Sequence, residues 1–514
     1  TAKGVLLTAT SDTDGSCADT VLMQTTKRLA QPDMAIRLAS EAAADAVGTG
    51  VLNTDGSGQS KYVALDAGQT ATYLVQVTNT GPGEDRIVLS GPAALPGWTV
   101  VYYSAPTGGI VLNPDIEAGT GGPLLAAGAS TTIRIEVTPS AGTPRGLVQD
   151  VLLTAASSDG QSRDAVRATT AVANPKPDTM VSLQSGSGYI GDDVYGVDGA
   201  GQQVALTVGG GFVATYYARL QNDGNFTDQF VLTGSAGDAD WEVQYVELAG
   251  GADITGDVTG GGWTTPAPGI LPGQAVDVRV DVRPAVTVPG GVTRNVIVKA
   301  RSARDFTVMD GCDCVTTRRA IFQPDLHTRR AGETTYLGDG VYNTDGAGQE
   351  SAATVRPQAA ACYELVVQND ANTVDTLRVT GPAGGAGWSV LYYDVHGAGG
   401  TDITGPVTGG GWLTPALAPG TTQQVRVEVT ADWTVPAGDA RGGLVTVTSV
   451  GDGTKVDAAG SVTTVERACR PDLLIRNAGS PGYVGDNVHS PDGTGQTVGQ
   501  VVKRGEGAVY HVAI

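Results

Sequence analysis

The chain has 514 residues, of which 74 are Gly, and its formal net charge at pH 7 is -21. Such an acidic chain argues against nucleic acid as a partner, because phosphate binding needs a basic surface. No stretch approaches the roughly 18 apolar residues of a membrane span, so no transmembrane segment is predicted. With 40% hydrophobic residues the chain can form packed cores, and these properties are typical of a secreted or surface β-protein.

A Pro-Asp dipeptide recurs along the chain with Pro spacings of 145, 147 and 147 residues. This nearly constant period indicates tandem repeats. The four dipeptides are Pro32-Asp33, Pro177-Asp178, Pro324-Asp325 and Pro471-Asp472. Since Pro restricts the backbone, they predict stiff linkers between consecutive repeats.

The repeats predict the domain organisation in chain order. Residues 1–30 match the last two strands of a repeat, because GVLLTATSDTDGS from Gly4 is similar to DVLLTAASSDGQS from Asp150. Three complete repeats follow at 31–175, 176–322 and 323–469, and 470–514 match the N-terminal part of a further repeat. Because the last residues lie within a predicted strand, we expect the chain to be a segment of a longer polypeptide.

Short runs in each repeat alternate apolar and polar residues, as at 72–77, 276–280 and 425–429. Alternation with period two predicts half-buried strands, and Gly, Asn, Asp and Pro punctuate them as turns. Seven or eight such strands in about 147 residues are typical of an immunoglobulin-like sandwich. The predicted fold is therefore all-β, a tandem array of immunoglobulin-like β-sandwich domains, three complete and two partial. The only helix-like stretch is 39–45.

A Gly- and Asp-rich motif, here called the box, begins about fifteen residues after each Pro-Asp. It reads GTGVLNTDGSGQ from Gly48, GDDVYGVDGAGQ from Gly191, GDGVYNTDGAGQ from Gly338 and GDNVHSPDGTGQ from Gly485. Its clustered oxygen donors suit Ca²⁺, which takes six to eight hard oxygen ligands. The candidate calcium ligands are Asp192, Asp198, Asp339, Asp345, Asp486 and Asp492, to which the Asp of each Pro-Asp could be added. The alternative is an Asp-Gly turn whose side chain caps its own backbone.

Five Cys are present, and they do not recur in every repeat. Cys362 and Cys469 both fall in the third repeat, so a disulfide between them is predicted in an oxidising compartment. Cys312 and Cys314 lie on one face of a predicted strand, which disfavours a bridge between them. One of these two thiols could instead bridge to Cys17 of a neighbouring chain.

No catalytic motif is found in the sequence, and the four His residues occupy non-equivalent repeat positions without a ligand-spaced partner. The sequence therefore predicts a protein that is not an enzyme. Tyr189, Tyr336 and Tyr483 stand at equivalent positions just before the box. They predict packing of each unit against its neighbour, with an aromatic sugar platform as the alternative.

The order YLVQVTNTG, IVLSGP, GWTV and LAAGASTTIRIEVTPSAGTPRGLVQDVLLTA, starting at Tyr73, resembles bacterial Ig-like modules of the CARDB type. The resemblance covers roughly two-thirds of each complete repeat. It implies a β-sandwich in an extracellular compartment, in a family of repeated spacers, adhesion modules and non-catalytic companions of secreted glycosidases. It transfers no catalytic residue, and the Pro-Asp and box motifs lie outside the family pattern.

These observations predict a non-catalytic extracellular or cell-surface structural protein, a segment of a longer repeat chain that builds a filament, stalk or surface fibre. Its expected partners are neighbouring repeats or further copies of itself, since edge strands of such units can pair. The alternative is an adhesin, or the carbohydrate-binding or spacer arm of a secreted enzyme, which would contact a cell surface or a glycan.

Overall fold

The computed structural model describes residues 2–26, 31–466 and 471–514. By its internal contacts the chain divides into two compact units, Thr1–Val286 with Thr293–Thr317, and Thr287–Val292 with Arg318–Ile514. Strands dominate both units, and they form three complete β-sandwiches flanked by two short strand pairs. The tandem all-β immunoglobulin-like fold predicted from the repeats is confirmed.

The first unit opens with a hairpin and continues into the first sandwich. The hairpin consists of β1 (Ala2–Thr10) and β2 (Ala18–Thr26). The strands of the first sandwich are β3 (Pro32–Leu38), β4 (Ser60–Leu65), β5 (Ala71–Asn79), β6 (Asp85–Arg86), β7 (Val88–Ser90), β8 (Trp98–Tyr103), β9 (Leu124–Leu125), β10 (Ser130–Pro139), β11 (Val148–Ala156) and β12 (Arg163–Val172). A 3-10 turn covers Ala43–Asp45 and helix α1 covers Asn113–Ala118.

The second and third sandwiches repeat this order. The second contains β13 (Pro177–Ser182), β14 (Gln203–Val208), β15 (Ala214–Asn222), β16 (Phe230–Gly234), β17 (Trp241–Glu247), α2 (Thr255–Gly260), β18 (Trp263–Thr264), β19 (Ala275–Pro284), β20 (Thr293–Ser302) and β21 (Met309–Arg318). The third contains β22 (Pro324–Arg330), β23 (Glu350–Val355), β24 (Ala360–Asn369), β25 (Leu377–Thr380), β26 (Trp388–Tyr393), α3 (Thr404–Thr408), β27 (Trp412–Leu413), β28 (Thr422–Ala431), β29 (Ala440–Ser449) and β30 (Val456–Val465). The described chain ends with β31 (Leu474–Asn477) and β32 (Tyr510–Ala513).

Each sandwich is built from two main sheets with a recurring strand order, and the first sandwich adds a two-stranded sheet of β6 and β9. One sheet runs β3-β5-β10-β8 in the first sandwich, β13-β15-β19-β17 in the second and β22-β24-β28-β26 in the third. The opposing sheets run β4-β12-β11-β7, β14-β21-β20-β16-β18 and β23-β30-β29-β25-β27. The pairs β4–β12 and β23–β30 are parallel. In every sandwich, therefore, a strand from early in the repeat lies beside the last one.

The two flanking strand pairs keep the register of the complete sandwiches. In the β1–β2 hairpin Ala9 pairs with Asp19, as Ala155 pairs with Asp164 between β11 and β12. In the β31–β32 pair Ile475 lies opposite Val512, as the equivalent Ile36 of β3 lies opposite Val75 of β5. The flanking segments therefore have the strand pairing of partial repeats.

The period-two alternation predicted for the strands places one face of each strand in the core. In β19, Val278 and Val280 are fully buried. Asp277, on the alternate position of the same strand, forms an ion pair with Arg219 of β15. Trp98 and Trp241 are buried in their sandwiches, and the equivalent Trp388 is half-buried. The apolar sides of the two sheets thus share one core per sandwich.

A buried tyrosine ties the two sheets of each sandwich together. Tyr73 Oη on β5 donates to the Thr169 carbonyl on β12 at 2.8 Å. Tyr216 and Tyr363 make the same bond to the last strands of the second and third sandwiches, at 2.6 and 2.8 Å. Because burial disfavours the phenolate, the pKa of each of these hydroxyls is raised, so each stays a hydrogen-bond donor.

Three short helices were not predicted from the sequence. In the second sandwich the Thr255 hydroxyl accepts a hydrogen bond from Tyr245 N at 2.8 Å, and the third sandwich repeats the bond between Thr404 and Tyr392. Asn113 takes this role in the first sandwich, which lacks the DITG sequence. These helices have at most six residues, too few for a 3.6-residue hydrophobic period to be read.

Candidate functional site

The box forms a loop between the first two strands of each sandwich, and its first Gly packs against its last Gln. Gly191 and Gly338 have φ of 113° and 107°. A Cβ there would lie 2.9 Å from Gln202 Oε1 and 2.6 Å from Gln349 Oε1, respectively. Positive φ and this close approach together explain why Gly stands at the start of the box and Gln at its end.

A buried carboxylate on the last strand of each sandwich holds the box loop in place. These carboxylates, here called the anchor carboxylates, belong to Asp164, Asp310 and Asp457, all fully buried. Asp310 Oδ1 accepts from Gly196 N at 2.7 Å and from Gln202 Nε2 at 3.0 Å. Its Oδ2 accepts from the backbone N of Thr179 at 2.7 Å. One side chain therefore joins the first strand, the box and the last strand.

The first and third sandwiches repeat this arrangement. Gln59 Nε2 donates to Asp164 Oδ1 at 2.8 Å, and Gln349 Nε2 donates to Asp457 Oδ1 at 2.9 Å. The anchor carboxylates are not predicted from the sequence, because an isolated Asp in an acidic chain belongs to no motif. The sequence feature that could have identified these three Asp residues is their position, because each stands 13 or 14 residues before the next Pro-Asp.

The Pro-Asp dipeptides open the first strands of the complete sandwiches. Pro32, Pro177 and Pro324 are the first residues of β3, β13 and β22, whereas β31 begins two residues after Asp472. The Asp side chains bind the box within their own repeat. Asp33 accepts from Gly50 N, Asp178 from Asp193 N, Asp325 from Gly340 N and Asp472 from Asn487 N, at 2.9–3.1 Å.

One oxygen of three of these carboxylates has no hydrogen-bond partner among the described residues: Oδ1 of Asp178, Asp325 and Asp472. Burial raises the pKa of Asp178 to about 7, and the charges of Asp223 and Asp310 add to the shift. Burial also raises the pKa of Asp33. At neutral pH the Asp178 carboxyl is therefore poised between its neutral and charged forms.

The Asp of each Asp-Gly pair caps its own turn. Asp198 Oδ1 accepts from Ala200 N and Asp345 Oδ1 from Ala347 N, both at 3.1 Å, and Asp492 Oδ1 accepts from Thr494 N at 3.0 Å. The other three predicted calcium ligands, Asp192, Asp339 and Asp486, are exposed. The calcium site stays a prediction, and the geometry gives three of its six carboxylates the role of turn caps.

The third sandwich adds a histidine that the other repeats lack. His327 Nε2 lies 2.9 Å from Asp325 Oδ2 and 3.7 Å from Asp339 Oδ1. Burial opposes protonation of the ring, but the Asp325 hydrogen bond and the nearby carboxylates outweigh it, so the pKa of His327 is raised. The expectation that no His has a ligand-spaced partner is wrong for His327, because a strand brings residues two apart to one face.

The tyrosines before the box pack under arginines of their own repeats. Arg219, Arg329 and Arg476 place their guanidinium carbons 4.1, 4.2 and 4.8 Å from the ring centres of Tyr189, Tyr336 and Tyr483. An arginine at this distance covers one face of the ring. Trp433 is 62% exposed, but the position 147 residues earlier is Val286. The exposed tryptophan therefore does not recur in the preceding repeat.

The described cysteines differ in accessibility. Cys312 and Cys314 are both buried on β21, and burial raises the pKa of both thiols. Their burial contradicts a bridge from either thiol to Cys17 of a neighbouring chain, although Cys17 itself is exposed. Cys362 is half-buried on β24. Cys469 lies outside the described residues, so the Cys362–Cys469 disulfide stays a prediction.

The sequence matches no protein-family model and no curated protein, so the CARDB-type resemblance stays an expectation. Among solved structures, the chain is similar to extracellular cadherin domains 1–4 of protocadherin gamma B7, at 9% identity over 88% of this chain and 80% of that one, with a TM-score of 0.32. It is also similar to the C-terminal domain of the Streptococcus agalactiae AgI/II polypeptide BspA, at 11% identity over 56% of this chain and 99% of that one, with a TM-score of 0.24. Likenesses with TM-scores this low assign neither a family nor a function. No helix in the described ranges is long and apolar enough to cross a membrane.

Proposed function

We propose that the chain is a segment of a non-catalytic, extracellular structural protein whose tandem sandwiches build a filament, stalk or surface fibre. The proposed domains are 31–175, 176–322 and 323–469, with partial repeats at 1–30 and 470–514. Each complete sandwich has its own core and its own anchor carboxylate, so each can act as a unit of an array. The box, the Pro-Asp carboxylates and the anchor carboxylates recur with the repeat period, and all of them bind strands and loops of the sandwich to one another.

The observation that carries this proposal is an asparagine at the junction of the first two sandwiches, which both belong to the first compact unit. Asn225, in the loop after β15, donates through Nδ2 to the Val172 carbonyl at the end of β12, at 2.9 Å. Its Oδ1 accepts from Asn174 N at 2.8 Å. The segment that leaves the first sandwich is thereby bound to a loop of the second.

The same joint recurs 147 residues later, within the second compact unit. Asn372 Nδ2 donates to the Arg319 carbonyl at 3.0 Å, and its Oδ1 accepts from Ile321 N at 2.8 Å. Arg319, Ile321 and Asn372 are equivalent by repeat position to Val172, Asn174 and Asn225. The repetition with the same atoms makes the asparagine contact a feature of the repeat. At the junction of the first two sandwiches it favours a defined arrangement over domains on a loose linker.

Other contacts at the first junction support the same reading. Tyr62 Oη donates to the Asn225 carbonyl at 2.8 Å. Arg304 pairs with Asp66 at 3.0 Å, and Arg145 forms an ion pair with Asp305. Exposed ion pairs contribute only about 0–1 kcal/mol each, so we assign the main role to the asparagine joint.

Substitution of Asn225 tests the proposal. Spin labels on Thr107→Cys and Val286→Cys, in a Cys17→Ser, Cys362→Ser, Cys469→Ser background, would report the distance between the first and second sandwiches. We expect a narrow distance distribution that N225A broadens. N372A, which removes the equivalent joint elsewhere, is the matched control and should leave that distribution narrow. A distribution that is already broad in the unsubstituted background, or that N225A does not change, would contradict a defined junction.

A further inference from the structure

Asp325, His327 and Asp339 form the one group of at least three His, Cys, Asp or Glu residues, in the ranges that the structure describes, whose ligand atoms lie within 4.8 Å of one another. Asp325 and His327 are two residues apart on β22 and share a face, and Asp339 is the second residue of the box. From this group we infer that the third sandwich binds one Zn²⁺ ion through Asp325, His327 and Asp339.

The distances suit a tetrahedral ion. Two ligands that each lie about 2.0–2.2 Å from a tetrahedral Zn²⁺ are about 3.3–3.6 Å apart. The observed separations from His327 Nε2, 2.9 Å to Asp325 Oδ2 and 3.7 Å to Asp339 Oδ1, lie on either side of that range. Sub-ångström movements of the side chains would therefore place both carboxylates and the imidazole around one ion.

The second observation is the state of Asp325. Its side chain is fully buried, and its Oδ1 has no hydrogen-bond partner among the described residues. A buried carboxylate oxygen without a partner is costly, and a cation held by this carboxylate would compensate for it. Asp178 and Asp472 also leave Oδ1 without a partner in the described part of the chain, and the third sandwich differs by the imidazole that lies beside the carboxylate. Asp339, by contrast, is 78% exposed, so the site is open to solvent and a water molecule can complete the coordination.

The donor set selects zinc over calcium. Ca²⁺ takes oxygen ligands, whereas imidazole nitrogen suits Zn²⁺ and other late first-row metals. The nearby Asp370 is already engaged by Tyr342 Oη at 2.8 Å and by Gln368 Nε2 at 2.6 Å. The protein thus offers three ligands, and the Asp370 carboxylate stays in the surrounding hydrogen-bond network.

The site is specific to one repeat. The positions equivalent to His327 hold Ala35, Met180 and Leu474 in the other repeats. Repeats two and four keep the two carboxylates, Asp178 with Asp192 and Asp472 with Asp486, and differ in the missing imidazole. A bound ion would pin the box to β22 in the third sandwich alone.

Isothermal titration calorimetry of the metal-stripped full chain with ZnCl₂ tests this inference. We expect one saturable site per chain, and no equivalent site for CaCl₂. H327M, which installs the residue of the second repeat, and D339N, which changes an exposed side chain without risk to the core, should each weaken binding by more than the about 10- to 100-fold that loss of an outer-shell partner costs.

D192N is the matched control, because it removes the equivalent carboxylate from a repeat without the histidine, and it should leave zinc affinity unchanged. The inference is overturned if the unsubstituted chain shows no saturable zinc binding. It is also overturned if D339N and H327M bind zinc as the unsubstituted chain does, because the ion would then lie elsewhere on the acidic surface.

Discussion

Gln202 Nε2 donates a 3.0 Å hydrogen bond to Asp310 Oδ1, joining residues 108 positions apart. The bond connects the last residue of the box to the last strand of the same sandwich. Gln59–Asp164 and Gln349–Asp457 repeat it. The box motif therefore serves the closure of each sandwich, whose first strand, box and last strand meet at one buried carboxylate.

The anchor carboxylate is predicted to be a main determinant of sandwich stability. Asp310→Ala would leave the buried Thr179 amide and the partly buried Gly196 amide without an acceptor, at a cost of about 1–3 kcal/mol for a buried donor. We expect a loss of about 3 kcal/mol or more in the second sandwich. Hydrogen exchange should show it as faster exchange of these two amides, with little change in the other sandwiches.

The control for the anchor is an exposed carboxylate of the same box. Asp198→Ala removes a turn cap that accepts one hydrogen bond from Ala200 N. We expect a loss of no more than about 1 kcal/mol, because water can replace that bond. Equal destabilisation by the two substitutions would contradict the central role given to Asp310.

The sequence was sufficient to predict the repeat period, the all-β class and the strands, because motif spacing and alternation are visible in one dimension. For the Asp of each Asp-Gly pair it left two alternatives open, a calcium ligand or a cap of its own turn. It did not predict the Asn225 joint, since a lone Asn carries no pattern until its partner Val172 is placed beside it. The group around His327 was missed although Asp325 stands two residues before the ring, because its third member, Asp339, comes from a loop.

The raised pKa of Asp178 predicts a pH dependence of stability. The group ionises near pH 3.9 when unfolded, whereas its pKa in the folded protein is about 7. Between these values the folded state binds the additional proton, so this group's contribution to stability falls as the pH rises towards 7 and is constant above it.

Thermal unfolding at pH 5 and pH 8 measures this contribution. The difference in Tm between the two pH values should favour pH 5 and should shrink in D178N, which cannot ionise. D198N, an exposed carboxylate of the same repeat, should keep the full difference. An unchanged difference in D178N would show that Asp178 does not titrate as the structure indicates.

The turn geometry predicts that the boxes do not need calcium. Asp198, Asp345 and Asp492 each use Oδ1 to accept a hydrogen bond from a backbone N–H of their own turn. We therefore expect millimolar Ca²⁺, added to the metal-free chain, to leave its Tm unchanged. A Tm that rises with Ca²⁺ and is lowered by D345N would instead support the calcium site, because ligand binding to the folded state raises Tm by mass action.

Thiol reactivity is predicted to follow burial. In the native protein a thiol reagent should modify the exposed Cys17 rapidly. It should modify Cys312 and Cys314 only after unfolding, because both side chains are fully buried and the pKa of both thiols is raised. Peptide mapping without reductant identifies each product. Rapid native modification of Cys312 would contradict its burial, and a linked Cys362–Cys469 peptide would establish the predicted disulfide.

Electron microscopy of the native material tests the structural role most directly. A filament of tandem sandwiches should appear as uniform fibres with an axial repeat of about 40–50 Å per sandwich, the length of strands of up to about ten residues with their end loops. Discrete particles, or short rods attached to a globular head, would contradict the filament and make these sandwiches a spacer for a function located elsewhere.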